Sequence, residues 1–240
     1  MEERELLSKG ATILGLSLSE EQINQLLRYK ELLLEWNQKL NLTAITDHKE
    51  IITKHFLDCL TINQAVRLEE VNSLVDIGTG AGFPGLVIKI AYPHIDITLV
   101  DSLNKRLNFL NEVIKELKLE KVRCIHSRAE DLGKRQEYRE VFDMCASRAV
   151  ANLAVLSEYT LPFVRQGGYL IALKGQKLDE EIEQGEKAIH ILGGKLEEII
   201  DAQVPFTDLN HRIAKILKVK RTGRHYPRKA GEPTKNPLGT

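Results

Sequence analysis

Leu74-Val75-Asp76-Ile77-Gly78-Thr79-Gly80-Ala81-Gly82-Phe83-Pro84-Gly85 is the stretch on which the reading of this chain turns. A short apolar run, Leu74–Ile77, ends in four glycines spread over eight residues, and an amphipathic stretch, Leu86–Ala91, follows at once. The order is strand, tight turn, helix. Glycine adopts positive φ freely and lets a ligand approach the backbone with no Cβ in the way. The first turn of the following helix points its free N–H groups at the same spot. Such a turn is either a nucleotide-type pocket or a plain, tight strand-to-helix connection.

Two nucleotide readings compete. Gly80, Gly82 and Gly85 spell G-x-G-x-x-G, the dinucleotide fingerprint. Asp76 with Gly78, Gly80 and Gly82 spells D-x-G-x-G-x-G, which resembles the first motif of class I S-adenosylmethionine methyltransferases. An acid just before the glycines is unfavourable beside a pyrophosphate. S-adenosylmethionine carries a sulfonium and an ammonium instead, and there Asp76 helps. The acid tips the reading towards a methyltransferase.

Outward from this turn, apolar runs recur at Ile95–Val100, Val122–Ile125, Phe142–Ala146 and Tyr169–Leu173, with helical stretches Leu103–Leu117 and Asn152–Val164 between them. Strands alternating with helices predict βαβ units, a parallel sheet covered on both faces, and right-handed crossovers that make it doubly wound. A helix over Leu178–Leu192 and two further strands, Leu196–Val204 and Ile213–Val219, predict a closing antiparallel hairpin and seven strands in all. No strand is expected before Val71. Ser19 and Gln22 have capping-box spacing, and Ile23, Leu26, Leu27, Leu33 and Leu34 recur at helical intervals. A break over Leu40–Thr46 and a second helix over about Lys49–Val66 follow. The expected organisation is an α/β chain: a helical cap over residues 1–66, a Rossmann-like class I methyltransferase domain over 67–221, and an irregular, exposed basic tail over 222–240.

The 240 residues are 42% hydrophobic, enough for a full core, and the formal net charge is zero. The charge is unevenly spread. Residues 211–240 hold nine Lys/Arg against one acid, Glu232, a net +8 that leaves −8 on the rest. A basic end meets an anionic partner or is simply solvated. Cys59, Cys124 and Cys145 are too few and scattered for a disulfide framework, and no Cys/His set has metal spacing. No apolar run reaches the ~18 residues of a membrane span, and the N-terminus does not read as a signal peptide. A cytoplasmic setting is expected.

In an open α/β sheet, ligands bind beyond the carboxyl ends of the strands, at the topological switch. Asp76, Gly78, Gly80 and Phe83 follow the first strand. Asp101 follows the second, placed to accept from a ribose diol or to cap the next helix. Ala129 and Glu130 follow the third: an N–H and a carboxylate that suit an adenine edge, or a helix-start acid complementing the dipole. Arg148, after the fourth, suits a carboxylate, a phosphate or a structural ion pair. Lys174 follows the fifth and reads most simply as a solvated surface amine.

Several stretches are together similar to one family. They are Trp36-Asn37 with Asn41-Leu42-Thr43, His55-Phe56-Leu57-Asp58, the loop ending Gly82-Phe83-Pro84-Gly85, Leu99-Val100-Asp101-Ser102, Arg128-Ala129-Glu130, Ser147-Arg148-Ala149-Val150 and Tyr226-Pro227-Arg228. The chain resembles, from about residue 30 to its end, the ribosomal RNA small-subunit methyltransferase G family, also called glucose-inhibited division protein B. Thr79 and Cys59 depart from it where the family usually has serine. The resemblance implies methyl transfer from S-adenosylmethionine to ring nitrogen seven of one guanine in 16S ribosomal RNA. It implies cofactor contacts from Gly78, Phe83, Asp101, Ser102, Leu103, Ala129, Glu130 and Arg148, to which the loop reading adds Asp76 and Gly80. Asn41, His55, Arg128, Lys174, Arg221, Arg224 and Arg228 are candidates for RNA contact. No catalytic side chain and no metal are expected, and the partner is 16S ribosomal RNA or the small ribosomal subunit, met by a monomer. Two readings of other classes remain: a nicotinamide-dependent oxidoreductase using Gly80-x-Gly82-x-x-Gly85, and a ribosome-binding protein without catalysis.

Overall fold

The capping box predicted at Ser19 forms in the computed structural model, which describes residues 1–148, 151–175 and 178–239. Ser19 N–H donates to Gln22 Oε1 (2.8 Å), and Gln22 N–H to Ser19 Oγ (3.2 Å). It starts α2 (Glu20–Leu40), which follows α1 (Glu3–Ile13). Asn41 ends α2 in the left-handed region at φ 48°, a conformation asparagine tolerates. Asn37 then clamps the chain, donating to the Thr43 carbonyl and accepting from Thr43 N–H, both at 2.9 Å. Asp47 caps the next helix through Lys49 and Glu50 N–H. The helix expected over Lys49–Val66 is not uniform. It runs as α3 (His48–Ile51), a π-helical turn (Ile52–Leu57), α4 (Asp58–Leu60) and a 3₁₀ turn (Thr61–Gln64). A π turn widens the helix and re-aims its side chains, and such turns recur at functional sites.

The seven strands are β1 (Ser73–Ile77), β2 (Asp96–Asp101), β3 (Val122–His126), β4 (Phe142–Arg148), β5 (Val164–Lys174), β6 (Gly194–Gln203) and β7 (Asn210–Lys218). Their order is β3-β2-β1-β4-β5-β7-β6, and β7 runs antiparallel to both its neighbours. The order reverses between β1 and β4, which makes that gap the switch point. α5 (Gly85–Ala91) and α6 (Asn104–Glu116) join the N-terminal helices on one face; α7 (Ala129–Leu132), α8 (Leu153–Thr160) and α9 (Leu178–Ile191) cover the other. Alternation along β1 sorts its side chains: Leu74 faces the first layer, Val75 and Ile77 the second. Asp76 therefore points to the side of Leu74, beneath α5. The N-terminal helices share one continuous apolar core with that face of the sheet.

The C-terminal segment differs from the expectation of an exposed tail. Thr222, Pro227 and Pro233 are buried, and a short helix, α10 (Glu232–Lys235), closes it. The Arg139 guanidinium donates to the carbonyls of Thr222, Gly223 and Tyr226 at 2.8–3.1 Å. Arg228 pairs with the fully buried Glu158 at 2.7 Å. Long-range polar ties hold a segment that has no apolar periodicity of its own. Ala149 and Val150 of the quoted motifs lie outside the described residues.

Candidate cofactor cleft and active site

The four glycines divide into two pairs with different physical reasons. The chain leaves β1 through Gly78 (φ 71°), Gly80 (φ 60°) and Gly82 (φ 97°), with the N–H groups of Gly78 and Thr79 both donating to the Val100 carbonyl. Gly78 and Gly80 line an open cleft, and a Cβ at Gly80 would find no neighbour closer than 3.9 Å. Gly82 and Gly85 face inwards. A Cβ at Gly82 would lie 2.5 Å from the Tyr29 hydroxyl, and one at Gly85 would lie 2.8 Å from Asp76 Oδ2. Tyr29 of α2 donates to the Ala81 carbonyl and stacks among Phe56, Phe83 and Phe109, so the N-terminal helices brace the loop from behind.

Asp76 sits behind this loop, not in the cleft, which corrects the sequence reading of its role. It is fully buried, and its Oδ2 accepts from Thr79 Oγ1 (2.7 Å) and from Gly85 N–H (2.8 Å) at the start of α5. Its Oδ1 has no hydrogen-bond partner. Burial pushes the carboxyl up to about 6, against the two hydrogen bonds that pull it down. The acid that favoured one nucleotide over another is the fastener of the turn.

The cleft occupies ≈ 640 Å³ beyond the carboxyl ends of β1, β2, β3 and β4, within the range of sites that hold drug-sized ligands. Gly78, Gly80, Phe83, Asp101, Ser102, Arg128, Ala129, Glu130, Arg148 and His55 all lie on its wall. Asp101 faces the cleft and does not cap α6, whose N-cap is Leu103 with no side-chain cap bond. Its Oδ1 accepts from Leu103 N–H (2.9 Å), its Oδ2 from Gly80 N–H (2.9 Å) and from Arg106 (3.2 Å). A carboxylate offers about four acceptor positions, so one remains for a hydroxyl. Glu130 is buried and accepts from Gly231 N–H at 3.1 Å, which brings the C-terminal segment to the cleft rim. Tyr159, also on the wall, is bonded through its hydroxyl to Thr234 Oγ1 at 3.0 Å.

At the other end two side chains in contact with each other lie on one side of the Phe83 ring. His55 stacks on it at 4.6 Å, and the Arg148 guanidinium carbon stands 4.8 Å from its centroid. Arg148 donates to Asp58 Oδ2 (2.8 Å) and to the Lys54 carbonyl (3.3 Å). His55 Nδ1 is 3.2 Å from both Arg148 Nη2 and that carbonyl, and its Nε2 is 2.8 Å from Thr43 Oγ1. Burial, with the guanidinium adding to it, pushes His55 down to about 4, so the ring is neutral at pH 7 with both nitrogens partnered. Asp58 also holds His211 Nδ1 through its other oxygen, and that bond raises the His211 pKa.

Six further candidates lie off the cleft wall. Leu103 is turned to solvent, and Asn41 ends α2 while its neighbours Leu42 and Thr43 reach the wall. Lys174, read as a solvated amine, is instead tucked against Glu181 (2.8 Å) and the Ala151 carbonyl (2.6 Å). Arg228 is committed to Glu158. Arg221 and Arg224 line a separate groove with Glu140 and Gln166, beside the amino ends of β4 and β5, the opposite end of the strands from the cleft. Thr43, Asp58, Tyr159, His211 and Gly231 belong to the site or its supports and carried no chemical signal of their own in the sequence. Thr43 and Asp58 stood inside quoted motifs; the other three reach the site only through the fold. Glu3, Glu31 and His48 also form a cluster with metal-type donors, but the buried Lys30 amine already binds both glutamates at 2.5 and 3.1 Å. Among the described residues no helix is long and apolar enough to cross a membrane.

The fold is that of class I methyltransferases. The structure of M. jannaschii TYW2 in complex with AdoMet matches with a TM-score of 0.50 at 20% identity, over 63% of this chain and 73% of that one. A 16S rRNA (adenine(1408)-N(1))-methyltransferase mutant from Catenulisporales acidiphilia matches at 0.51 and 13%, over 63% and 87%. Sequence carries the relationship further. Ribosomal RNA small subunit methyltransferase G of Alkaliphilus oremlandii is 51% identical over 99% of this chain and 100% of its own. The Clostridium tetani protein of the same name is 50% identical over 98% of each. The model of the rRNA small subunit methyltransferase G family matches residues 22–209. On that match and on identity at full length, the chain belongs to the rRNA small subunit methyltransferase G family.

Proposed function

We propose that this protein methylates ring nitrogen seven of one guanine in 16S ribosomal RNA, drawing the methyl group from S-adenosylmethionine. The cleft suits that cofactor in its size, in the unobstructed backbone at Gly78 and Gly80, and in an acid at the β2 tip with an acceptor position to spare. S-adenosylmethionine supplies, when bound, a methyl group already activated on a sulfonium. Asp101 accepts from its ribose, and Glu130 with the first-turn N–H of Ala129 reads its adenine edge. Ser102 lines the ribose side, and Phe83 offers an apolar face. Arg148, paired with Asp58, fixes Phe83 and His55 in place.

The observation that carries the choice of target atom is the end of the cleft walled by Thr43, His55 and Phe83. His55 is neutral with both nitrogens engaged, and Arg148 is paired, so this end presents neither a free base nor a free cation among the described residues. Ring nitrogen seven of neutral guanine has a lone pair and no proton, so it needs no base. The developing positive charge on guanine would be hindered by an unpaired cation nearby. What these residues supply is alignment, which can be worth ~7–11 kcal/mol. The base reaches the cleft unstacked. The substrate is 16S ribosomal RNA, free or in the small subunit, met by a monomer in the cytoplasm. Incubation with labelled cofactor and 16S ribosomal RNA, then digestion to nucleosides, should yield 7-methylguanosine as the labelled product. Label on an exocyclic amine or on a ribose would overturn the assignment.

A further inference from the structure

The hairpin joining β6 and β7 turns through Val204-Pro205-Phe206-Thr207, with Thr207 N–H donating to the Val204 carbonyl (3.3 Å). Phe206 takes the third position of this turn with φ 63°. Proline at the second position suits such a turn, but the positive φ that follows is one that glycine or asparagine occupies without strain. A phenylalanine there is unfavourable unless its ring is used. Burial does not account for it, because Phe206 is 45% exposed, as is its neighbour Leu209 at 36%, and the ring has no aromatic partner among the described residues.

The ring borders a groove of ≈ 520 Å³ whose walls also carry Leu6, Leu209, Thr53 and two acids and two lysines, Glu50, Asp208, Lys49 and Lys54. Lys54 is paired with Glu50 at 2.5 Å, Asp208 stands at the turn, and Lys49 has no ion-pair partner among the described residues. The groove is separate from the cleft and lies across one π turn from it. Thr53 and Lys54 face the groove from the same π turn that presents His55 to the cleft, and the Arg148–Asp58–His211 chain ties the cleft wall to the start of β7.

We propose that Phe206 and this groove receive an unpaired nucleobase of the substrate RNA, next to the guanine delivered to the cleft. This rests on the RNA methyltransferase reading above. An exposed aromatic face stacks on any base, and the free Lys49 amine lies at hand for the attached phosphate. The strained backbone holds the ring out where a base can cover it, so the RNA segment is gripped on both sides of the π turn.

Two substitutions test the contact. Phe206→Gly relieves the positive φ, so its urea midpoint should equal or exceed that of wild type. Its affinity for deproteinised 16S ribosomal RNA should nevertheless fall about tenfold to a hundredfold, the worth of one stacked base. Stacking releases no counterions, so the slope of log affinity against log salt should stay unchanged. Cofactor affinity and the rate at saturating RNA should also hold, and Phe206→Trp should retain or tighten binding. Wild-type RNA affinity in Phe206→Gly would overturn the proposal. So would a loss seen only with assembled small subunits, which would mean a protein contact, or a loss of self-association, which would mean a second copy. RNA binding is read separately from methyl transfer. Wild type that binds but does not methylate would defeat the reading of the reaction and leave this contact standing.

Discussion

Two aspartates near the tips of adjacent strands divide the work of the cleft. Asp101 is the one that lines the cleft. Asp101→Ala should weaken S-adenosylmethionine binding by ~1.5–3 kcal/mol, the range for hydrogen bonds to a charged acceptor. Calorimetry on the folded variant checks it, and unchanged affinity would leave Asp101 with only its ties to Gly80 and Leu103. Asp76 is fully buried behind the loop and carries a signature in stability. Its carboxyl titrates near the ordinary 3.8 in the unfolded chain and at about 6 in the fold. Between those values the folded state keeps a proton that the unfolded state has lost. Stability contributed by Asp76 is therefore greatest below about pH 4, falls as pH rises towards 6, and stays level above that. Urea titrations of wild type and Asp76→Asn across pH 4–7 should show this slope in the first and its loss in the second.

At the scale of the element, the loop between β1 and α5 serves two neighbours at once. Its outer glycines leave room for a ligand, and its inner ones let α2 and α5 close on it. Gly80→Ala enters open space at φ 60°, where an L residue pays only ~1–2 kcal/mol. Gly82→Ala at φ 97° must also displace the Tyr29 hydroxyl and Leu86, whose Cδ1 would lie 2.9 Å away. Gly82→Ala should therefore lose more stability than Gly80→Ala, and Gly80→Ala should lose cofactor affinity out of proportion to its stability. Paired denaturation and calorimetry decide it; equal stability losses would mean that Tyr29 yields freely.

At the scale of the molecule, the C-terminal segment belongs to the cleft as well as to the surface. It reaches Glu130 through Gly231 and is anchored by Arg228 on Glu158. Arg228→Ala leaves a buried carboxylate unpaired, so it should cost about 3–5 kcal/mol of stability and weaken cofactor binding with it. A freely solvated tail would lose neither. The reaction gives a second molecular test. With no side-chain base required, the single-turnover rate at saturating RNA and cofactor should stay nearly flat from about pH 6 to pH 8.5, since His55 titrates well below that window at about 4. A tenfold rise per pH unit, traced to one residue, would point to a target atom that carries a proton.

The sequence by itself determined the alternation of strands and helices, the closing hairpin, the α2 cap and the strand-tip positions of Asp101, Glu130 and Arg148. These are local matters: periodicity, capping chemistry and the rule that ligands meet an open sheet at its carboxyl ends. Asp76 shows the limit. Its identity is plain in the loop, but strand alternation beneath α5 turned its side chain inwards, and only the packed layers reveal that. Lys174 and Arg228 read as solvent-facing cations because their partners, Glu181 and Glu158, lie on helices whose docking no local pattern encodes. The π turn that places His55 against Phe83, and the strap that brings Gly231 to Glu130, are likewise decided by contacts between residues far apart in the chain. Such contacts form only once the sheet and its helical layers have closed around one core.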